Sequence, residues 1–372
     1  MKEFISRKTW VEINLEAIGH NISQMKCKLP KDTCLMAIVK ADGYGHGSVP
    51  VAKAAIEAGA QALGVALLEE ALVLREASIQ VPILVLGWVS PEDACVAAAH
   101  DITLTVFQPE WLQQVEAMQL NKPVHIHLKL DTGMGRIGVR DEQELENFFI
   151  TLRKCKGVQL TGIFTHFATA DSEDLHYFNQ QLAYFKKMLS AAEASGYEKL
   201  TVHIGNSAAS IRFPEKMYNC IRFGISMYGL YPSKSVKTEK RIALRPAFSL
   251  HSRLVHVKKV AAGSSISYGQ TYVAKKDEWI GTLPIGYGDG WLRKLQGFHV
   301  LVGGKRMPIV GRICMDQTMI RLDGPYEVGT KVTLIGEQEG ARIEMDEVAD
   351  YLDTINYEVP CIITKRVPRM YM

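Results

Sequence analysis

The sequence has no run of about 18 apolar residues of the kind that crosses a membrane, and its first residues, MKEFISRKTWVEINLEA, lack the apolar stretch of a secretory signal. A cytoplasmic location is the resulting expectation. Charge of one sign is scarce: 43 Lys and Arg stand against 40 Asp and Glu, a formal +3 scattered along the chain. That leaves no electrostatic footprint for nucleic acid or an acidic membrane, and it points to a small-molecule partner. The seven cysteines (27, 34, 95, 155, 220, 314 and 361) include no CxxC pair. Their odd number and wide spacing exclude a disulfide framework or zinc site and suggest mostly buried thiols. No G-x-G-x-x-G follows the first strand-like run and no G-x-x-x-x-G-K-[ST] occurs, which removes the two commonest nucleotide motifs.

What remains is a chain with 47% apolar and 22% charged residues, long enough at 372 residues to need two domains. Eight short apolar or β-branched runs alternate with helical patterns: 36–40, 61–66, 82–86, 102–106, 124–130, 159–166, 200–204 and 220–224. Amphipathic segments such as SPEDACVAAAH and EDLHYFNQQLAYFKKMLSAAEASG fit between them, so each strand can return parallel to its predecessor. Eight such units close a (β/α)8 TIM barrel, which is favoured over an open doubly wound sheet. Beyond about Ala243 the pattern becomes strands at short intervals with GG and DG turns. The fold class is therefore α/β, a TIM barrel over 1–240 followed by a β-rich domain over 241–372, with the boundary in the polar stretch 233–245.

A barrel carries its active site at the C-terminal ends of its strands. The first run ends in Lys40, followed by ADGYGHG. A lysine ending a buried strand is poised to lose its proton and to form a Schiff base with an aldehyde cofactor, although the position alone also suits a solvated loop start. Glycines 43, 45 and 47 would let the backbone approach a ligand closely. In the fifth run His125, His127 and Lys129 share one face, pointing inward, where the histidines suit a hydrogen-bonded polar layer better than a zinc site. Buried near arginine-bearing loops, Lys129 would lose its proton and could react with carbon dioxide. Ser207, in GNSAAS after the seventh run, falls where barrels bind phosphate, and equally where a helix cap would stand.

AIVKADGYGHG resembles the cofactor-lysine motif of the bacterial alanine racemases, and HLKLDTGMGRIG, HIGNSAA, IRFGISMYGL, ISYGQTYVA, LPIGYGDG, GRICMDQ and INYEVPC extend the likeness over most of the chain. The resemblance implies a pyridoxal 5'-phosphate enzyme interconverting L- and D-alanine, with Lys40 carrying the cofactor and no metal. It implies a phosphate pocket of Asn206, Ser207, Gly224, Ile225, Tyr44 and Tyr357. It places a carbamate on Lys129 that bridges to Arg136, which orients the cofactor or the substrate carboxylate. It sets Arg222 beside the pyridine nitrogen; a guanidinium with a pKa above about 12 keeps its proton and leaves that nitrogen unprotonated.

Racemisation needs a base on each face of Cα. Lys40 serves one, and the resemblance gives the other to Tyr268, set against His166 and Arg222; without the motif, Tyr268 is an ordinary β-domain tyrosine. Because Lys40 and Tyr268 lie in different domains, the family's homodimer with shared sites is expected, Tyr268, Met315 and Asp316 of one subunit completing the site of the other. Tyr287 and Tyr357 imply a small side-chain pocket. The expected role is D-alanine supply for peptidoglycan or alanine catabolism. Alternatives are a serine or broader amino-acid racemase, a decarboxylase on the same plan, or a non-catalytic cofactor-binding protein.

Overall fold

A computed structural model describes residues 7–372. They form two compact units, one of residues 16–43 and 48–245, the other of residues 7–15, 44–47 and 246–372. Each unit is taken by itself. No helix among the described residues is long and apolar enough to cross a membrane.

The first strand, β1 (Thr9–Ile13), belongs to the β-rich unit. The eight runs named from sequence become β2 (Cys34–Ile38), β3 (Ala62–Val65), β4 (Ile83–Val85), β5 (Ile102–Val106), β6 (Val124–Lys129), β7 (Val158–Phe164), β8 (Thr201–Gly205) and β9 (Cys220–Phe223), which close into a barrel. All eight pairings are parallel, and β9 returns to β2 with Cys34 opposite Cys220 and Met36 opposite Arg222. Short runs suffice because these strands are covered on both faces, as parallel strands are. The helices fall between them, the longest being His176–Ala194, whose Phe178, Leu182, Phe185 and Leu189 recur at helical spacing and are buried.

His127 and Lys129 are buried as expected, but His125, second on β6 at the end far from the strand's C-terminus, is exposed. Gly162 on the paired strand leaves room for the His127 ring, which would lie 2.6 Å from a Cβ there.

In the β-rich unit, β10 (Phe248–Arg253) sits centrally between β1 and the strand Lys331–Gln338. Thr9 opposes Ser252, their hydroxyls 2.8 Å apart, and the chain end Arg369–Tyr371 runs parallel to β1. A division at 240/241 leaves β1 on the barrel side, whereas its strand partners among the described residues lie after residue 247. The alternation Thr-Trp-Val-Glu-Ile that buries Thr9, Val11 and Ile13 was the available signal. A three-stranded sheet joins His256–Val260, Glu278–Leu283 and Thr318–Leu322.

No disulfide joins any of the seven cysteines, and of them Cys220 alone is buried; Cys27, Cys95 and Cys361 are exposed and the other three half-buried. The expectation of mostly buried thiols therefore fails: Cys27 just follows a helix, and Cys95 and Cys361 occupy outer helix positions.

The glycines after Lys40 also have a different reason from the one expected. Residues 44–47 pack in the β-rich unit, where a Cβ on Gly45 would lie 2.2 Å from the Pro360 carbonyl oxygen and one on Gly47 2.0 Å from the Tyr371 hydroxyl. These glycines admit the chain's own C-terminal segment. Gly45→Ala, at a φ of 77°, should cost about 2–4 kcal/mol in denaturant unfolding; an unchanged midpoint would show that Pro360 yields freely.

Candidate active site

β2 ends at Ile38, and the chain then enters a left-handed turn: φ is 52° at Ala41, 52° at Asp42, 62° at Gly43 and 51° at Tyr44. Each non-glycine residue there costs roughly 1–2 kcal/mol, so the turn needs external support. The Gly43 N–H donates to the Val39 carbonyl at 2.9 Å, and the Ser48 N–H donates to Asp42 Oδ1 at 2.9 Å. The Ala41 N–H donates to Glu70 Oε1 at 2.5 Å, while Glu70 Oε2 accepts from Ala66 at 2.7 Å and Leu67 at 3.2 Å. The Tyr228 hydroxyl donates to the Ile38 carbonyl at 2.9 Å. Lys40 leads into this turn, half-buried.

Inside the barrel Arg222 is 4% exposed. Its Nη1 donates to His203 Nδ1 at 2.9 Å and the His203 carbonyl at 2.7 Å; its Nη2 reaches the Thr165 carbonyl at 2.8 Å, the Ile204 carbonyl at 3.3 Å and His166 Nδ1 at 3.2 Å. Among the described residues none of these partners is a carboxylate. Because a guanidinium only donates, both imidazoles must accept at Nδ1 and carry their proton at Nε2. His203 Nε2 then donates to His127 Nδ1 at 2.8 Å. This assigns tautomers to three histidines from one fixed donor.

The same burial sets their charge. Desolvation holds His127 down to about 3, and desolvation with the neighbouring cations holds His203 and His166 well below the usual range, so all three are neutral at pH 7. The cations acting on His166 are Arg222, Arg136, Lys129 and Lys40, in that order after burial. Burial also pulls Arg222 to about 10, below the value above 12 expected from sequence, yet it stays protonated at neutral pH. Lys129, 2% exposed, falls to about 7 through burial and the Arg222 charge; its Nζ donates to the Leu130 carbonyl at 2.6 Å and lies 5.5 Å from the Phe164 ring centroid. The Asp131 carboxylate instead accepts the Gly133 and Gly135 N–H groups at 3.1 and 3.0 Å, shaping the exposed turn that carries Arg136.

At the ends of β8 and β9 the question of the cap is settled. Asn206 caps the helix Ser207–Arg212, its Oδ1 accepting from the Ala209 N–H at 2.9 Å. Ser207 Oγ accepts instead from the Gly224 N–H at 3.0 Å and the Ser226 N–H at 3.5 Å, joining the start of that helix to the start of the 3-10 turn Ile225–Tyr228. Ser207, Gly224 and Ile225 are all buried. Two sets of helix-start N–H groups and a hydroxyl thus converge, which suits an anion.

The β-rich unit groups the remaining residues. Tyr44 and Tyr357 have ring centroids 6.3 Å apart, and burial raises the Tyr44 phenol so that it stays a donor. Tyr268 stands on a turn with φ of 68° at Ser267 and 49° at Gln270, and is 71% exposed. The Ser267 hydroxyl fixes that turn by donating to the Arg312 carbonyl at 2.6 Å. Tyr287 N–H donates to the Cys314 carbonyl at 3.0 Å and Gly288 N–H to that of Met315 at 2.9 Å, bringing Tyr287, Met315 and Asp316 side by side. Asp316 accepts from Arg366 at 2.6 Å; Arg366 and Arg7 flank the fully buried Asp289 at 3.4 and 2.5 Å.

Glu70, His203, Asp289 and Arg366 were not singled out from sequence. An acidic residue in the first turn of a helix and a histidine inside a strand run were the faint signals for the first two.

Family models match the whole architecture: "Alanine racemase, N-terminal domain" covers residues 13–232 and "Alanine racemase, C-terminal domain" covers 247–371. The alanine racemase of Geobacillus stearothermophilus is 54% identical over 366 residues, 98% of this chain and 94% of that one. A crystal structure of alanine racemase from Bacillus anthracis with bound L-Ala-P superposes with a TM-score of 0.96 at 49% identity, covering 99% of this chain and 96% of that one. A histidine racemase from Leuconostoc mesenteroides shares the fold at a TM-score of 0.90 and 29% identity, covering 99% of each chain.

The Lys129 environment yields a pH prediction. Its folded value of about 7 lies below the ordinary 10.5, so between those values the folded chain binds fewer protons than the unfolded one and stability rises with pH. Lys129→Met should remove a rise on the order of 1–3 kcal/mol between pH 7 and 10 in carbon-dioxide-free denaturation series. Equal slopes for both proteins would refute the depressed amine.

Proposed function

The chain belongs to the alanine racemase family, enzymes that interconvert L- and D-alanine with pyridoxal phosphate, and on that footing we propose that Lys40 and Tyr268 are its two bases. The chain is accordingly an amino-acid isomerase acting on alanine. The observation that carries the site assignment is electrostatic: the charges of Lys40, Lys129, Arg136 and Arg222 all fall on His166 at the end of β7. Such a concentration suits a ligand that brings a phosphate, a phenolate and a carboxylate.

The donor set fits the cofactor. Lys40 Nζ would hold its aldehyde. Ser207 Oγ, with the Gly224 and Ile225 N–H groups on the Asn206-capped side of the barrel, would hold its phosphate, and the Tyr44 and Tyr357 hydroxyls would add donors. Once bound, the cofactor supplies an aldehyde that links to amino groups and a ring that draws electron density from Cα.

The protein's own residues do the rest. Arg222, held by carbonyls and imidazoles, keeps its proton and offers N–H to the ring nitrogen. By keeping that proton, Arg222 would leave a bound ring a weaker electron sink, which would favour returning a proton to Cα over transamination. Lys129, about half deprotonated near pH 7, can combine through its neutral form with carbon dioxide to give a carbamate and a released proton, and the resulting anion would pair with Arg136. Arg136 with Met315 would orient the substrate carboxylate, while Tyr287 and Asp316 line its approach. His166 presents Nε2–H to Tyr268, and Lys40 and Tyr268 exchange Cα protons on opposite faces.

Tyr268 at 71%, Met315 at 54% and Tyr287 at 40% exposure form an apolar group in the β-rich unit that suits burial against a second copy. We assign the cofactor to the barrel domain and Tyr268 to the partner's β-rich domain, in a cytoplasmic homodimer. A broader racemase is a second reading, favoured by the histidine racemase that shares this fold and by the weak rejection a small pocket gives one added hydroxyl.

Lys40→Ala and Tyr268→Ala should each abolish interconversion of alanine. Mixed by co-expression they should recover about a quarter of the sites, since half the dimers are mixed and each mixed dimer holds one intact site. No recovery would contradict shared sites, and a wild-type holoenzyme without a visible chromophore would contradict the cofactor assignment. Serine tested beside alanine separates the two substrate readings.

A further inference from the structure

We propose that Glu70 is a positioning residue for Lys40: its carboxylate clamps the left-handed turn and thereby sets where the lysine amine stands. The proposal rests on the assignment of Lys40 as the aldehyde-bearing base.

The case begins with the strand ladder. β2 and β3 pair in register, Met36 with Ala62, Ala37 with Leu63 and Ile38 with Gly64, and the last main-chain bond runs from Val39 N–H to the Gly64 carbonyl at 2.9 Å. A parallel ladder repeats every second residue, so its next donor is Ala41 N–H and its next acceptor the Ala66 carbonyl. That carbonyl is turned elsewhere: a Cβ on Gly87 would lie 2.3 Å from it. Glu70 supplies the missing acceptor. One oxygen takes the Ala41 N–H at 2.5 Å, and the other takes the Ala66 and Leu67 N–H groups at 2.7 and 3.2 Å.

Three backbone N–H donors on one carboxylate tie the start of the turn to the neighbouring helix as a bracket. The bond to Ala41 has a particular consequence. That N–H belongs to the peptide plane immediately after Lys40, so fixing it fixes ψ of Lys40 and the direction in which its side chain leaves the backbone. Asp42 secures the far end of the turn through Ser48, and Glu70 secures the end next to the lysine. The bracket is anchored on the helix Leu68–Glu76, hence on the neighbouring βα unit and not on the turn itself. Functional groups need such support to within a fraction of an ångström.

The test uses cofactor-loaded wild type, Glu70→Ala and Glu70→Gln. It reads kcat and KM in both reaction directions, the pH titration of the visible chromophore, and the thermal midpoint. Glu70→Ala should lower kcat about 10- to 100-fold with KM changed far less, and should displace the chromophore's titration midpoint. Glu70→Gln, which keeps one acceptor oxygen, should recover part of both effects. The proposal is overturned if the chromophore titration and kcat of both variants match wild type, or if kcat falls only as far as the folded fraction falls. Should Glu70→Ala not fold, Glu70→Gln carries the same comparison. A wild type lacking a chromophore would instead overturn the Lys40 assignment, and the proposal with it.

Discussion

A guanidinium buried inside a barrel without a carboxylate beside it is the constraint around which the rest is arranged. Arg222 is held by three backbone carbonyls and two imidazoles among the described residues, all neutral. Carbonyl oxygens satisfy its donors without cancelling its charge, so the positive potential remains available to a ligand. The histidines take their tautomers from it, and its charge adds to burial in lowering the affinity of Lys129 for protons. A carboxylate in place of those carbonyls would have made a stable internal ion pair and left the mouth of the barrel with far less attraction for an anion.

The second organising feature is backbone strain at the places where chemistry is expected. Lys40 precedes three left-handed non-glycine residues and Tyr268 follows one at Ser267. In both cases the strain is offset by a bond to another element: the Glu70 carboxylate accepts from Ala41 N–H in the first, and the Arg312 carbonyl accepts from the Ser267 hydroxyl in the second. A relaxed turn at either point would carry its side chain in a different direction. Gly43, Gly45 and Gly47 of the Lys40 motif all take left-handed φ, and Gly45 and Gly47 also make room for packing in the β-rich unit.

Much of this was legible in the sequence because it rests on periodicity. All eight barrel strands follow from short apolar runs, and the change to short strands with glycine turns marks the β-rich unit. The family motifs then name Lys40, Arg222, Ser207 and Tyr268. What pattern could not show is pairing over long separation: β1 joins strands more than 230 residues away. It also could not show which of two polar neighbours caps a helix, since Asn206 and Ser207 are equally good caps by type. Glu70 escaped notice for a similar reason. Its partners are backbone N–H groups, which every residue possesses and no composition reveals.

The most direct test of the central role given to Arg222 is the protonation state of the cofactor's ring nitrogen in the wild-type holoenzyme, read from the 15N chemical shift of labelled pyridoxal phosphate. The account predicts an unprotonated nitrogen accepting a hydrogen bond at neutral pH. A protonated nitrogen would contradict it, and with it the explanation of why this barrel racemises its substrate in preference to transaminating it.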